Sequence, residues 1–157
     1  MWDLSVQDRL SYWRKFRQGL DKLSFHDCLH QVNKFYWTAP LSNSFFSPDL
    51  PRDWPDPWEL ITENYYDDIA RALGMLYTIA LTRHSDHKIE MKCYRDRSAS
   101  QDYNLVWIDD GLYVLNYDLE VRVNNQLQLE QSSLIYTANK ESLLGINIHE
   151  QYSSTKA

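Results

Sequence analysis

Apolar residues recur with a helical period along the first part of the chain. Between Ser5 and about Leu20, the residues Leu10, Trp13, Phe16 and Leu20 fall three or four apart, which sets them on one helical face. Ser5 suits the N-cap, and Asp8 lies in the first turn, where the helix dipole favours an acid. Arg9, Arg14, Lys15 and Arg17 fall mostly elsewhere and are expected to form a solvated face. A second helix is predicted from Ser24 to about Trp37, with Phe25, Cys28, Leu29, Val32 and Phe35 or Tyr36 as its apolar stripe. The short link Asp21-Lys22-Leu23 predicts that the two helices pair as an antiparallel hairpin.

The period breaks over residues 38–57, which hold all five prolines. Phe45, Phe46, Trp54 and Trp58 lie in or beside this stretch, so it is expected to pack over the domain rather than act as a free linker. Long loops in compact domains are often functional. Asp56-Pro57-Trp58-Glu59 then reads as a helix start: Asp56 caps, Pro57 fits the first helical position, and Glu59 supplies the acid of a capping box. A short helix over 57–63 follows. Asn64 is the predicted cap of a longer helix running to about Arg83. Tyr66, Ile69, Leu73, Leu76 and Ala80 form one stripe of it, and Ala70, Met75, Tyr77 and Ile79 leave few polar faces. A helix apolar nearly all round belongs in the middle of a fold. Gly74 inside it costs up to about 1 kcal/mol relative to Ala, which predicts close approach of a neighbouring element.

After His84 the period becomes two. Lys88–Tyr94 alternates, with Ile89, Met91 and Cys93 on one face, and Tyr103–Ile108 is a second predicted strand. Asp109-Asp110-Gly111 is a hairpin turn, and Leu112–Tyr117 the returning strand. Leu119–Val123 and Gln126–Leu129 suggest a further hairpin about Asn124-Asn125. Ser132–Tyr136 suggests a strand, Asn139–Leu144 a short helix, and Gly145–His149 a last strand. The small, polar residues 150–157 are expected to be a flexible tail. The sum is a single α+β domain over 1–157: a helical hairpin (1–37), a Pro/aromatic loop (38–57), central helices (58–83) and an antiparallel sheet (87–149), with a central buried helix packed on the sheet.

With 157 residues, 43% hydrophobic and 24% charged, the chain fits one domain with a sizeable core. Aromatics reach 14%, including six Trp and eleven Tyr, which implies a dense core first and an aromatic contact surface second. A net charge of −6 argues against a generic nucleic-acid binder. No run approaches 18 apolar residues and the first residues do not resemble a secretory signal, so neither a membrane span nor an oxidising compartment is expected. Cys28 and Cys93 are accordingly expected to be reduced thiols.

Candidate chemistry is sparse. With four glycines there is no phosphate-cradling loop, and there is no Gly-x-Ser-x-Gly. His84 and His87, followed by Cys93, have a superficial metal-ligand spacing, yet they span a helix end, a loop and a strand. His26 and His30 share a helical face while Cys28 points elsewhere; two helical histidines need help from another element to hold a metal tightly. The acidic pairs Asp67-Asp68 and Asp109-Asp110 fit a helix first turn and a hairpin turn, and Asp118 with Glu120 makes a third. No metal, cofactor or catalytic residue is expected.

The order of elements from 57 to 118 resembles the transglutaminase-like, or papain-like, architecture. That family places a cysteine at the start of a central helix, a histidine at the start of a later strand, and an acid on the hairpin partner. The resemblance puts the cysteine place at Tyr65 or Tyr66, the histidine place at Tyr103 or Asn104, and the acid place at Asn116 or Asp118. Folding about Asp110-Gly111 would set Tyr103 and Asn104 opposite Tyr117 and Asp118. Without a thiolate and its base, acyl transfer loses both nucleophile and activator, so the resemblance implies a non-catalytic relative.

The whole chain also resembles small tailed-bacteriophage proteins of unassigned role, through Trp13-Arg-Lys-Phe-Arg17, Trp54-Pro-Asp-Pro-Trp-Glu-Leu-Ile61 and Ala72-Leu-Gly-Met-Leu-Tyr-Thr-Ile79. The expected role is a structural or interaction protein, a minor virion or assembly component whose partners are phage structural proteins, present in the cytoplasm of the infected host and then in the virion. Trp54, Trp58, Phe45 and Phe46 are the expected contact residues. Two alternatives stand beside it: a thiol hydrolase or transferase using Cys28 or Cys93 with His84 or His87, and an acidic modulator of a host protein.

Overall fold

The structure is a computed structural model that describes residues 1–43 and 45–145. Helix α1 spans Val6–Leu20 and α2 Phe25–Tyr36, capped by the Ser5 and Ser24 hydroxyls, which accept from the amides of Asp8 and Asp27. Helix α3 is Pro57–Glu63, capped by Asp56, and α4 is Asp68–Ala80. Strands β1 (Ile89–Asp96), β2 (Gln101–Ile108), β3 (Tyr113–Leu115) and β4 (Ser133–Asn139) make one antiparallel sheet in the order β3-β2-β1-β4.

The α+β class and the buried central helix are as the sequence predicts. Every residue of α4 from Ile69 to Ala80 is buried. It lies between α2 and the β1–β2 face, where Ile89, Met91, Cys93, Val106 and Ile108 meet it in one core. A second, smaller cluster on the opposite sheet face joins Leu105, Val114 and Leu127, flanked by Tyr103, Trp107 and Tyr117.

Several boundaries move. Asn64 does not cap α4: it ends α3 in the left-handed region (φ 60°, ψ 33°) and donates to the Trp2 carbonyl. The cap of α4 is Asp67 in extended conformation, its carboxylate accepting from the Ala70 amide at 2.8 Å. The helical hairpin is also looser than expected. The backbone of α1 packs on α3 and that of α2 on α4, while Phe35 of α2 bridges to Phe16 and Tyr12 of α1 through ring contacts. Arg9 is buried rather than solvated and donates to the carbonyls of Ile61 and Thr62, satisfying the last turn of α3. The expected hairpin over 119–129 reduces to a bridge between Val114 and Arg122 and a 3₁₀ turn at Asn124–Gln126. The sheet is not a simple meander, because β4 returns to pair with β1 on the far side from β3. Residues 140–145 are helical with Asn139 as cap, its side-chain oxygen accepting from the Ser142 amide at 2.7 Å. The strand expected at 145–149 and the tail at 150–157 fall almost wholly outside the described residues.

Candidate functional site

The head of α4 is the best-built polar site in the structure. Asp67 uses both carboxylate oxygens. One caps the helix, and the other accepts from the backbone amides of Phe45 and Phe46 at 2.8 and 2.7 Å. The helix cap therefore also fixes the middle of the Pro/aromatic loop. Asp68, one residue on, points toward the sheet. Its Oδ2 accepts from Asn104 Nδ2 on β2 at 2.8 Å, and its Oδ1 accepts from Arg71 Nη2 at 3.0 Å and from Asn116 Nδ2 at 3.3 Å.

Asn116 ties the group together. It follows β3 in a left-handed conformation (φ 67°) that Asn tolerates better than most side chains. Its Oδ1 accepts from Arg71 Nε at 2.8 Å, its Nδ2 donates to the Asn104 carbonyl at 2.8 Å, and its backbone amide donates to Asn33 Oδ1 at 3.0 Å. Asn33 in turn donates to the carbonyls of Asp118 and Leu119. The Arg71 guanidinium lies 3.8 Å over the Trp37 ring, a cation–π contact. Burial raises the Asp68 carboxyl above its ordinary value, against the opposing pull of Asn104, Arg71 and Asn116. Burial also lowers the Arg71 guanidinium, against the pull of Asp68.

A cleft of about 540 Å³ opens beside this network. Phe46 and Pro48 form one wall, Asp67, Asp68 and Ile69 the helix side, and the β1–β2 turn from Arg95 to Asn104 the other. Arg95 is held by Asp102 through two hydrogen bonds of 2.9 and 3.1 Å, with Asp49 of the loop 3.6 Å away. Asn104 is buried, and its Oδ1 has no hydrogen-bond partner among the described residues.

Of the sequence candidates, Asn104 and Asn116 meet in this network, and the residue that joins them at the head of α4 is Asp68. Tyr65 is exposed and stacks on Phe45, with ring centroids 6.2 Å apart. Tyr66 is buried between Trp2 and Tyr36, and burial raises its hydroxyl well above the ordinary value. Tyr103 stacks on Tyr117 in the second cluster, and Asp118 pairs with Arg122 at 2.9 Å. Neither reaches Asp68 through a hydrogen bond. The signal for Asp68 was present as the Asp67-Asp68 pair, which helix-dipole reasoning alone accounts for.

The four expected contact aromatics do not form one surface. Trp54 is buried, donates to the Ser47 carbonyl and packs edge-on against Tyr136. Trp58 lies half-exposed on the α1–α3 face against Trp13. Phe45 and Phe46 flank the cleft-side segment, Phe45 exposed and Phe46 half-buried. The candidate thiols and imidazoles do not converge either. Burial pushes Cys28 up to about 11 and Cys93 up to about 12, and neither sulfur makes a hydrogen bond among the described residues. His84 is buried beside Phe25, and His87 pairs through Nδ1 with Asp109 at 2.7 Å. Among the described residues no group of three or more His, Cys, Asp or Glu side chains could hold a metal ion, and no helix is long and apolar enough to cross a membrane.

No protein-family model and no curated protein sequence matches the chain. Solved structures do. Calcium-bound LapG of Legionella pneumophila gives a TM-score of 0.68 at 14% identity, over 88% of this chain and 78% of that one. LapG of the same organism gives 0.65 at 14% identity over 87% and 77%, and its EGTA-treated form 0.65 at 14% over 86% and 74%. The helix order, the antiparallel sheet and these likenesses agree: the chain has the transglutaminase-like fold.

Proposed function

We propose that the chain is a non-catalytic interaction protein built on the transglutaminase-like fold, with the cleft beside α4 as its contact site. The observation that carries this reading is the closed network at the head of α4. Asp68, Asn104 and Asn116 supply neither the thiolate nor the imidazole on which acyl transfer in the resembled family depends. A carboxylate already accepting from Asn104, Asn116 and Arg71 is a poor nucleophile, and an amide cannot act as a general base near neutral pH. The two thiols are buried with raised pKa values, which speaks against a thiol hydrolase.

LapG is described in a calcium-bound form, but the carboxylates at this site do not fit that ion. Calcium takes six to eight oxygen ligands, whereas Asp67 already accepts from three backbone amides and Asp68 from three side-chain donors, one of them the Arg71 guanidinium, so few oxygen lone pairs are left to offer an ion.

The finer assignment, a minor virion or assembly component of a tailed phage, is supported by the stretches at 13–17, 54–61 and 72–79. The protein is expected to co-purify with phage particles, and Phe46→Glu, which puts a charge on the cleft wall, is expected to reduce that recovery. Absence from purified particles, together with monomeric behaviour and no partner in pull-downs, would sink the assignment. Recovery of Phe46→Glu at the wild-type level would remove the cleft from it.

A further inference from the structure

The exposed start of α2 carries a second constellation, remote in sequence and chemistry from the cleft. His26 and His30 stand one helical turn apart and turn their rings together, with centroids 4.3 Å apart. Their Nε2 atoms are 3.1 Å from each other. His26 is exposed and His30 half-buried. The geometry points to a bidentate site for a divalent late transition metal, in which both Nε2 atoms ligate one ion.

The observed 3.1 Å is an ordinary N–H···N hydrogen-bond length in the metal-free pair. Metal–nitrogen bonds of about 2.1 Å meeting at a right angle set two nitrogens about 3.0 Å apart, so Cu(II) or Ni(II) with nitrogen and oxygen donors can take the place of the bridging proton with little change in that separation. The helix places both side chains on one face before the ion arrives, so less entropy is lost than for ligands from separate segments.

The surroundings favour the same outcome. The Asp27 carboxylate lies 3.6 Å from His26 Nδ1. At that distance it makes no hydrogen bond, but its negative charge favours a proton on the facing Nδ1, which leaves the Nε2 lone pair for the ion. In the metal-free pair the other ring, His30, then supplies the Nε2–H that bridges the two nitrogens. On binding, that proton moves to Nδ1 of the same ring, and His30 Nε2 ligates as neutral imidazole. Water fills the remaining coordination positions.

The test uses the full chain purified without a histidine tag. Titration calorimetry with nickel chloride is expected to show one ion per chain. H26Q and H30Q are each expected to weaken binding at least about tenfold, with both variants checked for folding by circular dichroism. Spin resonance of the copper(II) form is expected to report two imidazole nitrogens in the wild type and one in either variant. Nickel is expected to raise the Tm of the wild type and of neither variant. Equal affinity in the wild type and either variant would overturn the site, as would a single-nitrogen copper spectrum in the wild type.

Discussion

Asp68 Oδ2 accepts a 2.8 Å hydrogen bond from Asn104 Nδ2, joining the first turn of the central helix to the second strand. The contact spans 36 positions of sequence and sets a carboxylate of the helix against an amide of the sheet. Burial outweighs the donors around Asp68 and raises its pKa. A carboxyl raised on folding keeps its proton where the unfolded chain has lost it. Its contribution to stability is therefore present at low pH and is lost as pH rises from the ordinary carboxylate range through the folded value. Asp68→Asn keeps the shape and removes the titration. The unfolding free energy of the wild type relative to D68N is expected to fall as pH rises from about 4 toward neutrality. Urea titrations at several pH values check this, and a difference that grows with pH contradicts the assigned direction.

Gly74 makes the close approach that its place in an apolar helix predicts, and the approaching group is the Tyr36 ring. A Cβ at Gly74 would overlap Tyr36 Cε1. That ring is fully buried, and its hydroxyl is 2.8 Å from Thr78 Oγ1. Overpacking of this kind costs about 1–3 kcal/mol, against a helix-propensity gain of up to about 1 kcal/mol. Gly74→Ala is expected to destabilise by about 1–2 kcal/mol. In a Tyr36→Ala background the same change is expected to be neutral or stabilising, which a double-mutant cycle reads directly.

Asp67 holds a helix and a loop with one carboxylate. Asp67→Ala removes the α4 cap and the acceptor for the Phe45 and Phe46 amides. The expected cost is about 1–2 kcal/mol, with faster amide exchange at Phe45 and Phe46. Unchanged protection of those two amides would show that the carboxylate does not fix the loop.

Much of the fold was legible because its causes are local. Ser5, Ser24 and Asp56 cap where the sequence places them, since a cap needs only a short polar side chain and the amides two or three residues on. Ile89, Met91 and Cys93 face the core because alternation alone fixes the face of a strand. The head of α4 was misplaced because Asn64 and Asp67 are both good caps within one turn. The choice between them was made by contacts distant in sequence: Asn64 bonds Trp2, and Asp67 bonds the amides of Phe45 and Phe46. That shift of three residues is why the sequence reading of the helix head centred on Tyr65 and Tyr66 rather than on Asp68. The hairpin expected over 119–129 does not form, for a related reason. The alternation of 119–129 is genuine, but it serves to cover Leu105 and Val114 with Leu127 rather than to extend the sheet.

The sequence by itself determined the helix and strand order and the buried character of α4. These follow from periodicity and residue identity, which need no partner. Only the tertiary structure decided that Asp68, Asn104, Asn116 and Arg71 close on one another, that Trp54 is core while Phe45 is surface, and that β4 pairs with β1. A hydrogen-bond network between helix and sheet depends on strand register and helix rotation together, and no local pattern encodes both.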